Sequence, residues 1–401
     1  MHAMFIHPNF PAQFGHAAHY LSTRLGWQCT CVTQVDSSQA QLPFNRVTYC
    51  VTERSTPSGP SKLNVLLDNA WAVYGALKSL PQLRPDIIVG HLTYGTLVYL
   101  KNLYECPMVG YYELMPPPYW SNEMALRPEF PPPEHTRLFN ATFHAMNYLQ
   151  GSLIDAAYTP TRFQLDNAPD LVRSKARVIH DGVDMDALQR REIPRPTTFH
   201  GVTIGANTRV VTYAARGLES VRGFDIFMKV AKRISQEYAD VVFLIAGDDH
   251  TYYGHEMHHI RHPCFRQYVL SQDQYHPAQF IFLGMVPPDD LATLFSLSDL
   301  HIYLTVPFVL SWSLIWAMAA GCTLLASDTP PLREAIDPDV HGLLHDFHDV
   351  DGLAAKALAV LKNPPEYRHL GQAAVQRVRE RYELNICMEK LVELLRNPRG
   401  G

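Results

Sequence analysis

Short apolar runs that end in a glycine or a polar turn recur along this chain, separated by stretches with helical spacing. Met1 to Ile6 is the first, and it ends in His7-Pro8-Asn9-Phe10-Pro11. Residues 12–25 then set Phe14, Ala17, Ala18, Leu21 and Leu25 three or four positions apart, and Gln28 to Val35 is strand-like again. Strand, helix and strand in this order form a βαβ unit, and such units build parallel sheets with right-handed crossovers. The same design returns at Pro85 to His91, Met108 to Glu113, Ala156 to Thr161 and Ala176 to Asp184. A second series runs through Val210 to Ala214, Val241 to Ala246, Phe280 to Leu283, His301 to Leu304 and Thr323 to Ala326. Helices are expected over 223–236, 288–297 and 311–320, and the last part of the chain is amphipathic and helical.

Two such series imply two doubly wound α/β domains. At roughly 100–200 residues per domain, 401 residues fit that count. Hydrophobic residues make up 47% and charged residues 18%, so each half can bury a core. The polar, proline-containing stretch 190–208 is the expected boundary. Residues 1–195 then form the first Rossmann-like domain and 196–375 the second. A final helix, 376–401, is expected to pack back on the first domain. Open sheets of this kind bind ligands at the carboxyl ends of their strands, so a cleft between the domains is the expected ligand site.

The net charge of −5 offers no basic excess for nucleic acid, while a few placed cations suffice for the phosphates of a small ligand. Seven cysteines are scattered without CxxC or zinc spacing, which fits reduced thiols in a cytoplasmic protein. The start MHAMFIHPNF lacks the features of a signal peptide, and no run of ~18 apolar residues is present. Peripheral contact with the inner face of a membrane stays open, as does the oligomeric state. Residues 115–135, MPPPYWSNEMALRPEFPPPEH, are too rich in proline for continuous helix or sheet. They read as a long ordered loop, either flanking an acceptor site or a plain surface excursion.

Chemistry concentrates in the second series. Arg216 ends a strand and Arg222-Gly223 precedes a helix. Guanidinium groups keep their charge and grip phosphate oxygens two at a time. The stretches VVTYAARGLESVRGFDIFMKVAKRI, VVFLIAGDD, FIFLGMVPPDDLATLFSLSDLHIYLT and PFVLSWSLIWAMAAGCTLLASDTPPLREAI resemble the retaining glycosyltransferases of glycosyltransferase family 4, which have the GT-B fold. The resemblance is strong from Val210 to Leu344. It is looser in FIHPNFPAQFGHAAHYL and VIHDGVD, and weak across 40–135.

The resemblance implies that Arg216 and Arg222 hold the donor diphosphate, with Arg222 standing where the family usually has lysine. It implies that Gly223 lets the backbone approach the ligand, that Gly247 and Asp248 edge the nucleotide pocket, and that the loop with Val286 reads the base. The family usually carries two glutamates separated by seven residues, the first on the transferred sugar and the second on the ribose. Here those places are Phe308 and Trp316. Replacing a carboxylate by an indole weakens donor binding by ~2–4 kcal/mol, unless the indole stacks on the ligand instead. Ser311 and Ser313 are candidates to restore part of the polar contact.

On the first domain, Glu113 and His91 are rival polar contacts to the sugar, and Gln13, Gly15 and His16 belong to the acceptor-side loop. The implied reaction moves a hexose from a UDP- or GDP-linked donor with retained configuration, using no metal and no further cofactor. The acceptor is a saccharide, a lipid-linked sugar or a small molecule. Two alternatives remain at this point: a nucleotide- or carbohydrate-binding relative without turnover, and a sugar-nucleotide epimerase on the same fold.

Overall fold

A computed structural model describes residues 1–34, 44–51, 62–114 and 127–399, apart from the side chains of 62, 137, 139, 141 and 142. Most of the loop 115–135 thus lies outside the described residues. The chain forms two compact units. Met1–Ser121, Glu134–Gly182 and Leu384–Gly401 make the first, and Asn122–Pro133 and Val183–Glu383 the second.

In the first unit, β1 (His2–Ile6), β2 (Gln28–Thr33), β3 (Asn45–Thr48), β4 (Ile87–His91), β5 (Met108–Tyr111), β6 (Ala156–Thr159) and β7 (Ala176–Val178) form one parallel sheet in the order β3-β2-β1-β4-β5-β6-β7. Helices α1 (Gly15–Leu25), α2 (Lys62–Lys78), α3 (Glu134–Leu153), α4 (Arg162–Asp166) and α5 (Asp170–Arg173) connect them. Strands covered on both faces read as unbroken apolar runs, and β1, β4 and β5 are buried throughout. One face packs Phe5, Phe14, Val89 and Val109, and the other packs Met4, Ile6, Ile88 and Met108. The strand order reverses between β1 and β4, so their carboxyl ends define this unit's crevice.

The second unit opens on a hairpin, β8 (Thr197–Phe199) with β9 (Val202–Ile204). Its main sheet takes β10 (Arg209–Gly217), β11 (Val241–Asp248), β12 (Phe280–Gly284), β13 (Leu300–Tyr303), β14 (Leu324–Ser327) and β15 (Leu343–His345). All run parallel in the order β12-β11-β10-β13-β14-β15, which puts the reversal between β10 and β13. The helices are α6 (Phe224–Glu237), α7 (Phe265–Leu270), α8 (Pro288–Leu297), α9 (Trp312–Ala319), α10 (Pro330–Ala335), α11 (Val350–Lys362) and α12 (Pro364–Arg381). Helix α6 turns Phe224, Phe227, Val230, Ala231 and Ile234 to the sheet at the spacing its sequence prescribes.

The passage between units falls at Gly182–Val183, upstream of the expected boundary at 195. Residues 183–195 are polar, yet their hydrogen bonds belong to the second unit. Val183 donates its N–H to the Tyr382 carbonyl at 2.8 Å, and Arg190 reaches the Gly321 carbonyl at 2.9 Å. Arg195 pairs with Asp299 at 3.0 Å. At the other end α12 stays with the second unit, and only α13 (Leu384–Arg396) belongs to the first. Cys387, Met388, Leu391 and Leu394 of α13 join the Phe5 and Phe14 side of the core.

Three buried histidines make stability depend on pH. Burial pushes His180 down to about 4 and His301 down to about 3, and burial together with His91 pushes His7 down to about 2. Each has a pKa of about 6.5 in the unfolded chain. Below that value the unfolded chain binds protons that the folded chain refuses, so stability is full above pH 7 and falls as the pH drops toward 4. The expected slope approaches 1.4 kcal/mol per pH unit for each histidine. Urea midpoints measured between pH 7.5 and 4.5 check this, and a flat profile contradicts it.

Candidate functional site

The second unit concentrates charge at the carboxyl ends of β10 and β13. Strand β10 delivers Arg216, the following turn Ser220–Arg222 delivers Arg222, and β13 delivers Tyr303 and, just beyond it, Thr305. Arg222 is 7% exposed. Its Nη1 donates to the Tyr303 hydroxyl at 3.3 Å, Thr305 Oγ1 at 3.2 Å and the Val309 carbonyl at 3.3 Å. The Phe308 ring lies 5.1 Å and the Tyr253 ring 5.8 Å from its guanidinium carbon. Among the described residues no carboxylate comes within 4.0 Å of it. Buried Glu219 interacts with it electrostatically without forming an ion pair, so the guanidinium can still take an anion as a direct partner.

Arg216 is exposed and lies over the Tyr252 ring, 3.9 Å from its centre. The Tyr252 hydroxyl donates to Asp248 Oδ2 at 2.6 Å, so Arg216, Tyr252 and Asp248 form one linked group. Helix α6 begins just after Arg222 with no side-chain cap, and its first N–H, that of Phe224, is bonded to the Glu219 carbonyl at 3.3 Å. Gly223 sets the start of that helix. Its φ is 64°, and a Cβ there would stand 2.7 Å from Leu304 Cβ and 2.8 Å from Phe347 Cε2. The glycine is thus required by packing and left-handed backbone, whatever approaches from outside.

Two buried carboxylates lock the loops that carry these groups. Glu219 Oε2 accepts from the backbone N–H of Tyr252 at 3.0 Å, Tyr253 at 2.8 Å and Gly254 at 3.0 Å. Burial still raises its pKa, against those backbone bonds. In return, Glu256 accepts from the Ser220 N–H at 3.1 Å and the Ser220 hydroxyl at 2.6 Å. A third restraint is Arg127, 4% exposed, which grips Asp225 of α6 at 2.9 and 2.7 Å and the Ser220 carbonyl at 2.6 Å. At the described end of the proline-rich loop, Arg127 and Phe130 are therefore buried in the second unit, with Phe130 part of its core.

Other expected donor-side residues have structural duties here. Gly247 is crowded, since a Cβ would stand 2.8 Å from the Ala215 carbonyl. Val286 is buried in the apolar core. Ser311 is the N-cap of α9, accepting from the Ser313 N–H at 3.3 Å, and the two hydroxyls lie 3.0 Å apart. Trp316 is half-buried against the core, with its ring 6.1 Å from that of Trp312. Phe308 sits with Arg222, as above.

In the first unit, His7 follows β1, His91 ends β4 and Glu113 follows β5. Glu113 stands 3.5 Å from His91 Nε2 and accepts from the Gln13 amide at 3.3 Å. The two expected rivals are thus neighbours. His91 Nδ1 accepts from the Thr93 N–H at 3.2 Å, which leaves its proton on Nε2, toward Glu113. His7, whose ring centre is 5.3 Å from that of His91, was not singled out by the sequence, although it directly follows a strand. Gly15 is the first residue of α1 with right-handed φ of −59°. A Cβ there would meet Pro11 Cβ at 2.7 Å, so its smallness serves packing. His16 is exposed on α1.

Two family models match the chain, one described as Glycosyl transferase family 4 group over residues 25–188, the other as Glycosyl transferases group 1 over 195–377. Among solved structures, the sucrose-phosphate synthase of Thermosynechococcus elongatus is similar at 14% identity and a TM-score of 0.75, over 99% of this chain and 98% of that one. HepE of Anabaena, in complex with UDP and glucose, is similar at 14% identity and a TM-score of 0.70, over 99% and 100% of the two chains. The UDP-forming α,α-trehalose-phosphate synthase of Burkholderia xenovorans is similar at 13% identity and a TM-score of 0.69, over 100% and 99%. No curated protein matches the chain. Among the described residues no helix is long and apolar enough to cross a membrane, and no cluster of potential metal ligands occurs.

Proposed function

The chain belongs to the GT-B glycosyltransferases of the glycosyltransferase family 4 type, and from that premise we propose that it transfers a hexose from UDP to a saccharide acceptor with retained configuration. The observation that carries the reading is the buried Arg222 guanidinium, which has no carboxylate partner among the described residues and stands at the carboxyl end of β10. A donor diphosphate supplies a direct anionic partner. Arg222 and Arg216 stabilise that charge as it grows on the leaving group, the kind of preorganised electrostatics that dominates such reactions. The anomeric carbon–phosphate oxygen bond breaks as the acceptor hydroxyl adds from the same face. The departing phosphate takes the hydroxyl proton. No metal or further cofactor is required in this scheme. UDP is preferred over GDP because the similar HepE of Anabaena is known in complexes with UDP and with UDP and glucose. Glu113, held by Gln13 and His91, offers a carboxylate to a sugar hydroxyl.

One observation favours a second reading. Trp316 packs against the core at the place where the family's ribose-binding glutamate is expected. On that reading the chain binds nucleotide without turnover. Calorimetry with UDP, followed by an assay for released UDP across a panel of sugar donors and saccharide acceptors, separates the two. Arg216→Ala is expected to weaken UDP binding about tenfold, as befits an exposed charge-assisted contact worth ~1.5 kcal/mol. Unchanged affinity removes Arg216 from the site.

A further inference from the structure

The segment after β11 presents two tyrosines beside the two arginines, and nothing in the family resemblance calls for them. Tyr252 lies under Arg216. Tyr253 lies against Phe308, with ring centres 5.0 Å apart and planes inclined at 55°, and its own ring is 37% exposed. Arg222 stands behind both rings. This arrangement is fixed. Glu219 ties the backbone N–H groups of Tyr252, Tyr253 and Gly254 to the turn that carries Arg222. Glu256 ties that turn back to the segment. An exposed aromatic ring held this firmly is ready to receive an apolar face without paying to order itself.

We propose that Tyr253, backed by Phe308, is the platform on which the transferred pyranose of the donor lies, C–H face against the ring. The proposal rests on the transferase reading above. It follows from position and chemistry. Arg222 is the expected diphosphate contact, so the group attached to the diphosphate is held within a few ångströms of Phe308 and Tyr253. A pyranose has an apolar C–H face. At this place the chain offers rings where the family offers a carboxylate, so contact by area replaces contact by hydroxyl counting. Such a platform tolerates hydroxyl inversion on the far face and disfavours donors with a charged or bulky substituent on the near face.

The test compares the nucleotide with and without its sugar. Dissociation constants of UDP and of UDP-glucose, UDP-galactose and UDP-N-acetylglucosamine are measured by calorimetry for wild type, Tyr253→Ala and Tyr253→Phe. The quantity read is the gain in affinity of the tightest UDP-sugar over UDP itself, which general loosening of the fold does not move. The expected result is a loss of at least about tenfold in that gain for Tyr253→Ala, with the gain kept in Tyr253→Phe; because the Tyr253 side chain also interacts with Arg216, UDP affinity itself moves less than the gain does. An equal loss for UDP and UDP-sugar overturns the proposal, because the ring then serves the nucleotide. An unchanged gain overturns it as well. Wild-type protein that binds no UDP overturns the transferase reading itself, a different and recognisable failure.

Discussion

Arg222→Ala lowers affinity for UDP by at least about 30-fold, the expected outcome of truncating one partner of a desolvated, hydrogen-bonded charge pair, which costs ~2–5 kcal/mol. Two terms contribute. The guanidinium no longer meets the diphosphate, and Tyr303, Thr305 and the Val309 carbonyl lose their common donor. Arg222→Lys restores the charge that the family usually places here, but not the planar fork. It is therefore expected to recover part of the affinity. The free protein responds differently. Removing a buried charge without a carboxylate partner also removes its desolvation cost. Thermal stability of Arg222→Ala without ligand is expected to stay near that of wild type, and only the stabilisation by UDP is lost. Calorimetry and thermal unfolding with and without UDP check both statements.

Arg127→Met is expected to destabilise the protein by about 3–5 kcal/mol, the usual result of breaking a buried ion pair and stranding one partner. The stranded group is Asp225, whose two oxygens both accept from Arg127. The substitution also frees the Ser220 carbonyl and removes the guanidinium between Phe130 and Phe347. Replacing both partners, as in Arg127→Met with Asp225→Leu, is expected to recover most of the loss, because the desolvation cost disappears with the charges. Urea unfolding of the single and double variants measures this. A single variant within 1 kcal/mol of wild type would show that the pair contributes little to stability.

The alternation of apolar runs and amphipathic helices was enough to read most strands of both sheets, though not the three-residue β15, since strands buried on two faces have few other sequences open to them. It failed where burial is partial. Strand β3, Asn-Arg-Val-Thr, sits at the sheet edge with half-exposed side chains and reads as a polar loop. Helix α2 lies in the stretch where the resemblance was weakest, and its exposed Trp71 and Val65 blur the helical face. Residues 183–195 pack with the second unit because the partners of Arg190 and Arg195 are set by the fold and not by composition.

The placement of Arg216 at a strand end and of Arg222 before a helix was legible because it is local in sequence. Tyr253, Glu219 and Arg127 were not. Each acts across a long sequence separation: Glu219 on residues 252–254, and Arg127 on residues 220 and 225. No spacing rule announces such contacts. Ser311 also caps α9, with its hydroxyl 3.0 Å from that of Ser313, a local role that the helical spacing alone did not announce.

A structure of the protein crystallised with UDP tests the central claim most directly. The account predicts diphosphate oxygens within about 3 Å of the guanidinium groups of both Arg222 and Arg216, beside the start of α6. UDP bound elsewhere, or a diphosphate that leaves Arg222 with only Tyr303, Thr305 and Val309 for partners, would contradict it.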